Sequence, residues 1–121
     1  MSPKTNALDI KKDIEYAIIR GEYNGNYKMP SINDIMELYQ CCKGTAVKVI
    51  DLMEDEGTII KKKGIGCFLI PQKNIELVNK YKSKSKDELY TDLVRFKEIG
   101  LSKTAVSEMF GKILDDIYRD N

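Results

Sequence analysis

The chain has 121 residues, 42 % of them apolar and 32 % charged, with 20 basic and 19 acidic side chains for a net charge of +1. That is enough for one ordinary core with a short appendage, and the charge balance excludes a protein that coats nucleic acid by bulk positive charge, leaving local basic clusters as the route to it. Histidine, the common zinc ligand and acid–base group near neutral pH, is absent, so no enzyme, metal centre or cofactor is expected.

No apolar run approaches the roughly 20 residues that cross a bilayer. The N-terminus MSPKTNALDIKKD lacks the apolar segment of a signal peptide, so a cytoplasmic protein with no membrane partner is expected.

Residues 7 to 20 place Ile10, Ile14, Ala17 and Ile18 on one face, with lysines and acids opposite. This spacing predicts an amphipathic helix, capped by Asn6 and stopped by Gly21. GEYNGNYKMP then reads as a turn-rich connector. Ser31 is placed to cap a short second helix, INDIMELY, with Asp34 at the capping-box position. Ile32, Ile35, Met36 and Tyr39 share one side of it. A tight turn over Gln40 to Cys42 leads to a third helix, from Lys43 to a stop at Gly57, whose buried stripe is Ala46, Val49, Ile50 and Met53. Two apolar runs, Ile59-Ile60 and Cys67 to Ile70, flank a lysine- and glycine-rich tip, which predicts a β-hairpin closed by Pro71. Helix, helix, turn, helix, hairpin is the order of a winged helix-turn-helix domain, assigned to residues 1–71.

Residues 72–121 form a tail of two predicted helices. The first, 75–99, carries Leu77, Val78 and Tyr81, then Leu89, Leu93, Phe96 and Ile99 on one side. Its polar middle, KYKSKSKDE, is expected either to lie in solvent or to bend the helix. Gly100 breaks the run, and Ser102 caps a last helix with Val106, Met109, Phe110, Ile113, Leu114 and Ile117. Two helices of this size do not bury such stripes against each other, so a partner surface is expected. The dimerisation set is Leu89, Leu93, Phe96, Val106, Met109, Phe110, Ile113 and Ile117. The fold class is mainly α with a small β-hairpin: a winged helix-turn-helix domain plus a C-terminal two-helix dimerisation appendage.

A helix entering the major groove needs small residues in its first turn, so that base edges approach, and hydroxyl or cationic groups for phosphate. Lys43, Gly44 and Thr45 supply them at a helix N-terminus whose amides attract phosphate, and Lys48 follows one turn on. Singly, these lysines are ordinary solvated residues; together they make a pattern. Val47 falls off the buried stripe, where it either meets a thymine methyl or packs against the hairpin. At the hairpin tip, Lys61, Lys62 and Lys63 gather beside Gly64 and Gly66, suited to the phosphate backbone or the minor groove. The acids Asp51, Glu54, Asp55 and Glu56, at the far end of the helix, are expected to face solvent. The candidate DNA-binding residues are Ser31, Asn33, Lys43, Gly44, Thr45, Val47, Lys48, Lys62, Lys63, Gly64 and Gly66.

Two other functions remain open. A near-neutral winged helix also serves as a protein-interaction module. Cys41 and Cys42 precede the third helix, where a thiolate is favoured, and could make the protein thiol- or metal-responsive. With Cys67 the count is odd, so a disulfide framework is not expected.

Met29-Pro30-Ser31, Lys43-Gly44-Thr45, Met53 to Gly57 and the wing Gly64 to Leu69 come in the order and spacing of a known family. Over residues 7 to 71 the chain resembles the DNA-binding domain of the GntR family of bacterial transcription regulators. The short tail, joined at Ile99 to Ser102, looks like that of its YtrA subfamily. Lys43 stands where that family usually has arginine, and Cys67 where its wing has threonine. The resemblance implies a homodimeric regulator, most often a repressor, on a pseudo-palindromic operator in double-stranded DNA, commonly near transporter genes. It implies no cofactor, and the sequence identifies no small-molecule effector.

Overall fold

Asn6 caps α1 (Ala7–Ile19) with its side-chain oxygen, which accepts the Asp9 amide at 2.8 Å. The structure is a computed structural model that describes residues 6–119; the expectation for the first five residues lies outside it. Ile10, Ile14 and Ile18 of α1 are fully buried, and Gly21, at φ 82°, ends the helix in the left-handed region that glycine enters without penalty.

Ser31 and Asp34 form the reciprocal cap of α2 (Ile32–Tyr39). The Asp34 amide donates to the Ser31 hydroxyl at 3.0 Å, and the Ser31 amide donates to the Asp34 carboxylate at 2.9 Å. Gln40 closes α2 at φ 52°, a costly region for an L-residue. Its backbone N–H donates to the Met36 carbonyl, and its side-chain amide donates to the Glu37 carbonyl at 2.7 Å. This turn redirects the chain into α3 (Lys43–Asp55), whose Ala46, Val49, Ile50 and Met53 are buried as one stripe.

β1 (Ile59–Lys62) and β2 (Gly66–Leu69) pair antiparallel, with Ile59 opposite Leu69 and Lys62 opposite Gly66. The connector before α2 is not merely a turn. Its end adds a third edge to the hairpin: the Met29 amide donates to the Cys67 carbonyl at 2.9 Å, and the Leu69 amide to the Tyr27 carbonyl at 2.7 Å. The core gathers the α1 isoleucines, Ile35, the α3 stripe, Met29, Ile59, Leu69 and Leu77.

Two polar residues of α1 depart from the expected exposed face. Lys11 and Glu15 are only 8 % and 1 % exposed. They stand in one row with Ile18 along the helix, and the end of α3 reaches them: Lys11 Nζ donates to both oxygens of Glu56 at 2.8 and 2.9 Å and lies 3.6 Å from Glu15. A buried lysine must be paired to be tolerated, so this cluster ties α1 to α3. A second tie joins α1 to α2. The Tyr39 hydroxyl donates to Asp13 at 2.5 Å, and burial, then that bond, pushes its pKa far above the usual phenol value.

α4 (Lys73–Glu98) runs as one helix, so its lysine-rich middle neither breaks nor ends it, and residues 82–90 are all exposed. The chain divides into two compact units that part between Asn79 and Lys80, inside α4, whereas the composition changes after Pro71. In the second unit Gly100, at φ 93°, turns the chain, and Ser102 caps α5 (Lys103–Ile117) by accepting the Ala105 amide at 3.1 Å. No described residue of α5 is fully buried. The described residues are mainly helical, with five helices and one antiparallel hairpin. Its first unit is a winged helix-turn-helix.

Candidate nucleic-acid interface

α3 buries one stripe and presents the opposite side. Lys43, Gly44, Lys48 and Asp51 are exposed there, while Thr45 and Val47 are half-buried at its margins. Cys42 is the N-cap residue, with extended backbone (φ −77°, ψ 164°). Its sulfur lies 3.2 Å from the Thr45 hydroxyl oxygen. This bond, at the i, i+3 spacing of a capping pair, holds the Thr45 side chain at the first turn. It also lowers the Cys42 thiol pKa, with backbone amides of the turn adding to the effect. The start of a helix favours a thiolate, but here the Thr45 hydroxyl is the largest cause. Linked in this way, Cys42 is a thiolate at lower pH than an ordinary cysteine.

The two adjacent cysteines face different surroundings. Cys41 is half-buried with its sulfur 3.8 Å from the Ile35 carbonyl, while Cys42 is exposed. Cys67, half-buried on β2, has its thiol pKa raised by burial. Among the described residues no group of three or more His, Cys, Asp or Glu is placed to hold a metal ion.

The three wing lysines are not equivalent. Lys61 Nζ donates to Asp51 at 2.7 Å and lies 3.4 Å from Glu54, so it clamps β1 to α3, and its pKa is raised, chiefly by the bond to Asp51. Lys62 Nζ sits 4.8 Å from the centroid of the Phe68 ring, a cation–π distance. Lys63 lies in the turn itself, beside Gly64 at φ 76° and an exposed Ile65. A side chain on Gly64 would meet no heavy atom within 4 Å, so that face of the tip is open.

The α3 acids Asp51, Glu54, Asp55 and Glu56 are exposed, as expected, but three of them also hold lysines from other elements. Asp51 and Glu54 are held by Lys61, and Glu56 by Lys11. These pairs are not legible in the sequence because of distance along it: each partner comes from an element that a local helix pattern does not contain. Neutralising the acidic end leaves the N-terminal turn, with Lys43, Lys48 and the positive pole of the helix dipole, as the cationic part of α3. Ser31 and Asn33 are exposed at the start of α2, with the Ser31 oxygen already accepting the Asp34 amide.

In the second unit, a groove of about 830 Å³ is lined by Leu89, Leu93, Leu101, Val106, Phe110 and Leu114, together with Lys97, Lys103, Ser107 and Gly111. Four of the expected dimerisation residues, Leu89, Leu93, Val106 and Phe110, thus meet around one concavity. Phe96 and Met109 are half-buried, and Ile113 and Ile117 are exposed. Leu101 and Leu114, outside that set, line the same groove. Leu101 lies in the turn, where a helical period gives no signal.

The architecture defines a class: a winged helix-turn-helix unit followed by a two-helix tail. The same architecture is found in solved transcription regulators. A GntR family transcriptional regulator from Listeria monocytogenes superposes with a TM-score of 0.75 at 19 % identity, covering 93 % of this chain and 97 % of that one. A transcriptional regulator from Oenococcus oeni gives 0.73 at 16 % identity, with 94 % and 95 % covered. A GntR family chain from Bacteroides thetaiotaomicron gives 0.71 at 21 % identity, with 95 % and 99 % covered. No protein-family model matches the sequence, and no curated protein matches it. At these identities the likeness shows the fold, over nearly the full length of each chain.

Proposed function

We propose that this chain is a DNA-binding transcription regulator of the GntR type, not an enzyme, that binds an operator as a homodimer. The observation that carries this reading is the first turn of α3. Lys43, Gly44 and Lys48 are exposed on the side opposite the buried stripe, and the Thr45 hydroxyl is held at that turn by Cys42. In the reading, α3 enters the major groove, its N-terminal amides and Lys43 meet phosphate or guanine, and the tip at Lys63 and Gly64 follows the adjoining backbone or minor groove. The Lys61–Asp51 pair links wing and helix. The like architecture of solved transcription regulators supports the same role.

The tail supports the dimer. Its apolar residues stay open in one chain, with Ile117 65 % exposed, and a second copy is the simplest cover. A two-fold dimer presents two α3 helices to half-sites about 34 Å apart, and hence a pseudo-palindromic operator. The short two-helix tail favours a YtrA-like regulator, and repression follows if the operator overlaps a promoter. This role places the protein in the cytoplasm; no helix among the described residues is long and apolar enough to cross a membrane.

Fluorescence anisotropy on a cognate duplex tests the assignment of α3. Lys43→Ala and Thr45→Ala are each expected to weaken binding about tenfold while thermal unfolding stays close to the parent. Unchanged affinity in both variants would remove α3 as the reading element.

A further inference from the structure

Lys80 to Lys86, KYKSKSK, holds four lysines and no acid in a chain whose net charge is only +1. This second basic cluster lies on α4, in the second unit. Packing does not account for it, because residues 82–90 are exposed and only Tyr81 is half-buried. Lys80 Nζ sits 5.6 Å from the centroid of the Tyr81 ring.

The arrangement is unfavourable for the helix by itself. Lys80 with Lys84, and Lys82 with Lys86, are i, i+4 pairs of like charge, which repel across one helical turn. Lys11, Lys61 and Lys73 are held by Glu56, Asp51 and Glu76. Among the described residues, Lys80, Lys82, Lys84 and Lys86 form no ion pair, although Asp87 and Glu88 follow directly. Exposed and without an acid of the chain to hold them, these four charges are open to a polyanion outside it.

The chemistry of the segment narrows the source. A membrane-surface helix needs an apolar face opposite its lysines, and residues 82–88 have none. Single-stranded nucleic acid needs a series of aromatic platforms for its bases, and Tyr81 stands alone. Lysines without either suit the phosphates of a duplex, which they meet as point charges without reading sequence.

We infer that Lys80, Lys82, Lys84 and Lys86 form a second, sequence-independent contact with the phosphate backbone of duplex DNA. The inference rests on the DNA-binding reading above and adds a surface that α3 and the wing do not include.

The test is the salt dependence of binding by the full chain, measured on the operator and on an unrelated duplex. Each phosphate contact contributes about 0.9 to the slope of log Kobs against log salt. The variant Lys80→Gln, Lys82→Gln, Lys84→Gln, Lys86→Gln is expected to lower that slope by about 2 to 4 per homodimer, two phosphates per chain being the upper figure. The slope falls on both duplexes, while the preference for operator is kept. The corresponding four-arginine variant keeps the parental slope. Circular dichroism checks that α4 survives; should the quadruple glutamine variant unfold, the pairs Lys80→Gln, Lys84→Gln and Lys82→Gln, Lys86→Gln carry the same comparison.

An unchanged slope in a folded glutamine variant overturns the inference and leaves the α3 reading standing. A parent protein that binds no duplex at low salt overturns the α3 reading itself, and this inference with it. An unchanged duplex slope with lost binding to anionic vesicles or single-stranded RNA assigns the lysines to that partner and overturns the duplex contact.

Discussion

Ile35→Ala is expected to destabilise the winged helix unit by roughly 3 kcal/mol, within the ~2–5 kcal/mol range for truncating a buried isoleucine to alanine. Ile35 is the one fully buried residue of α2, an eight-residue helix whose other apolar contacts, Ile32, Met36 and Tyr39, are half-buried. A helix this short has little stability of its own, so its place against α3 depends on that side chain. The loss is a large fraction of the ~5–15 kcal/mol that holds a domain together. Urea unfolding at constant m-value measures it. Leu38→Ala on the same helix is the control: Leu38 is 66 % exposed, and its truncation is expected to change stability by less than about 0.5 kcal/mol. Equal effects of the two substitutions would contradict the packing described.

The second large effect concerns assembly. Phe110→Asp places a carboxylate among Leu89, Leu93, Leu101 and Leu114 in the tail groove. A dimer seated on that groove would have to bury the charge without a partner, at a cost of several kcal/mol. The variant is expected to sediment as a monomer at concentrations where the parent is a dimer. Operator affinity is expected to fall by about 10²–10⁴, the advantage that joining two half-site contacts confers. Phe110→Leu keeps an apolar side chain and is expected to remain dimeric. A parent that sediments as a monomer, or a Phe110→Asp dimer with parental affinity, would contradict this use of the tail.

Much of the fold was legible because it is written locally. Ser31 and Asp34 form a cap three residues apart, and the α3 stripe recurs within one helix. The hairpin is announced by two apolar runs around lysine and glycine. What was illegible depends on residues far apart in sequence. Tyr27 to Met29 look like loop until the carbonyl and amide groups of β2 pair with them. Lys11 and Glu15 read as surface residues until Glu56, 45 positions from Lys11, completes a buried cluster. Lys61 looked like one of three equal wing cations, and the acids of α3 hold it.

The candidate site divides in the same way. The exposed Lys43, Gly44 and Lys48 follow from helical period alone. The Cys42 to Thr45 bond has a signal in its i, i+3 spacing, but cysteine is not a residue from which capping is ordinarily read. The apolar character of the tail was plain in its stripes. The shape of its groove was not, since Leu101 enters it from the turn.

Selection of bound duplexes from a random library tests the central claim most directly, because it asks at once whether α3 reads sequence and whether two copies read together. The account predicts enrichment of an inverted repeat with half-site centres about 10 base pairs apart, one turn of the helix. Recovery of no enriched sequence at low salt, or of a single unrepeated site bound by one chain, would contradict it.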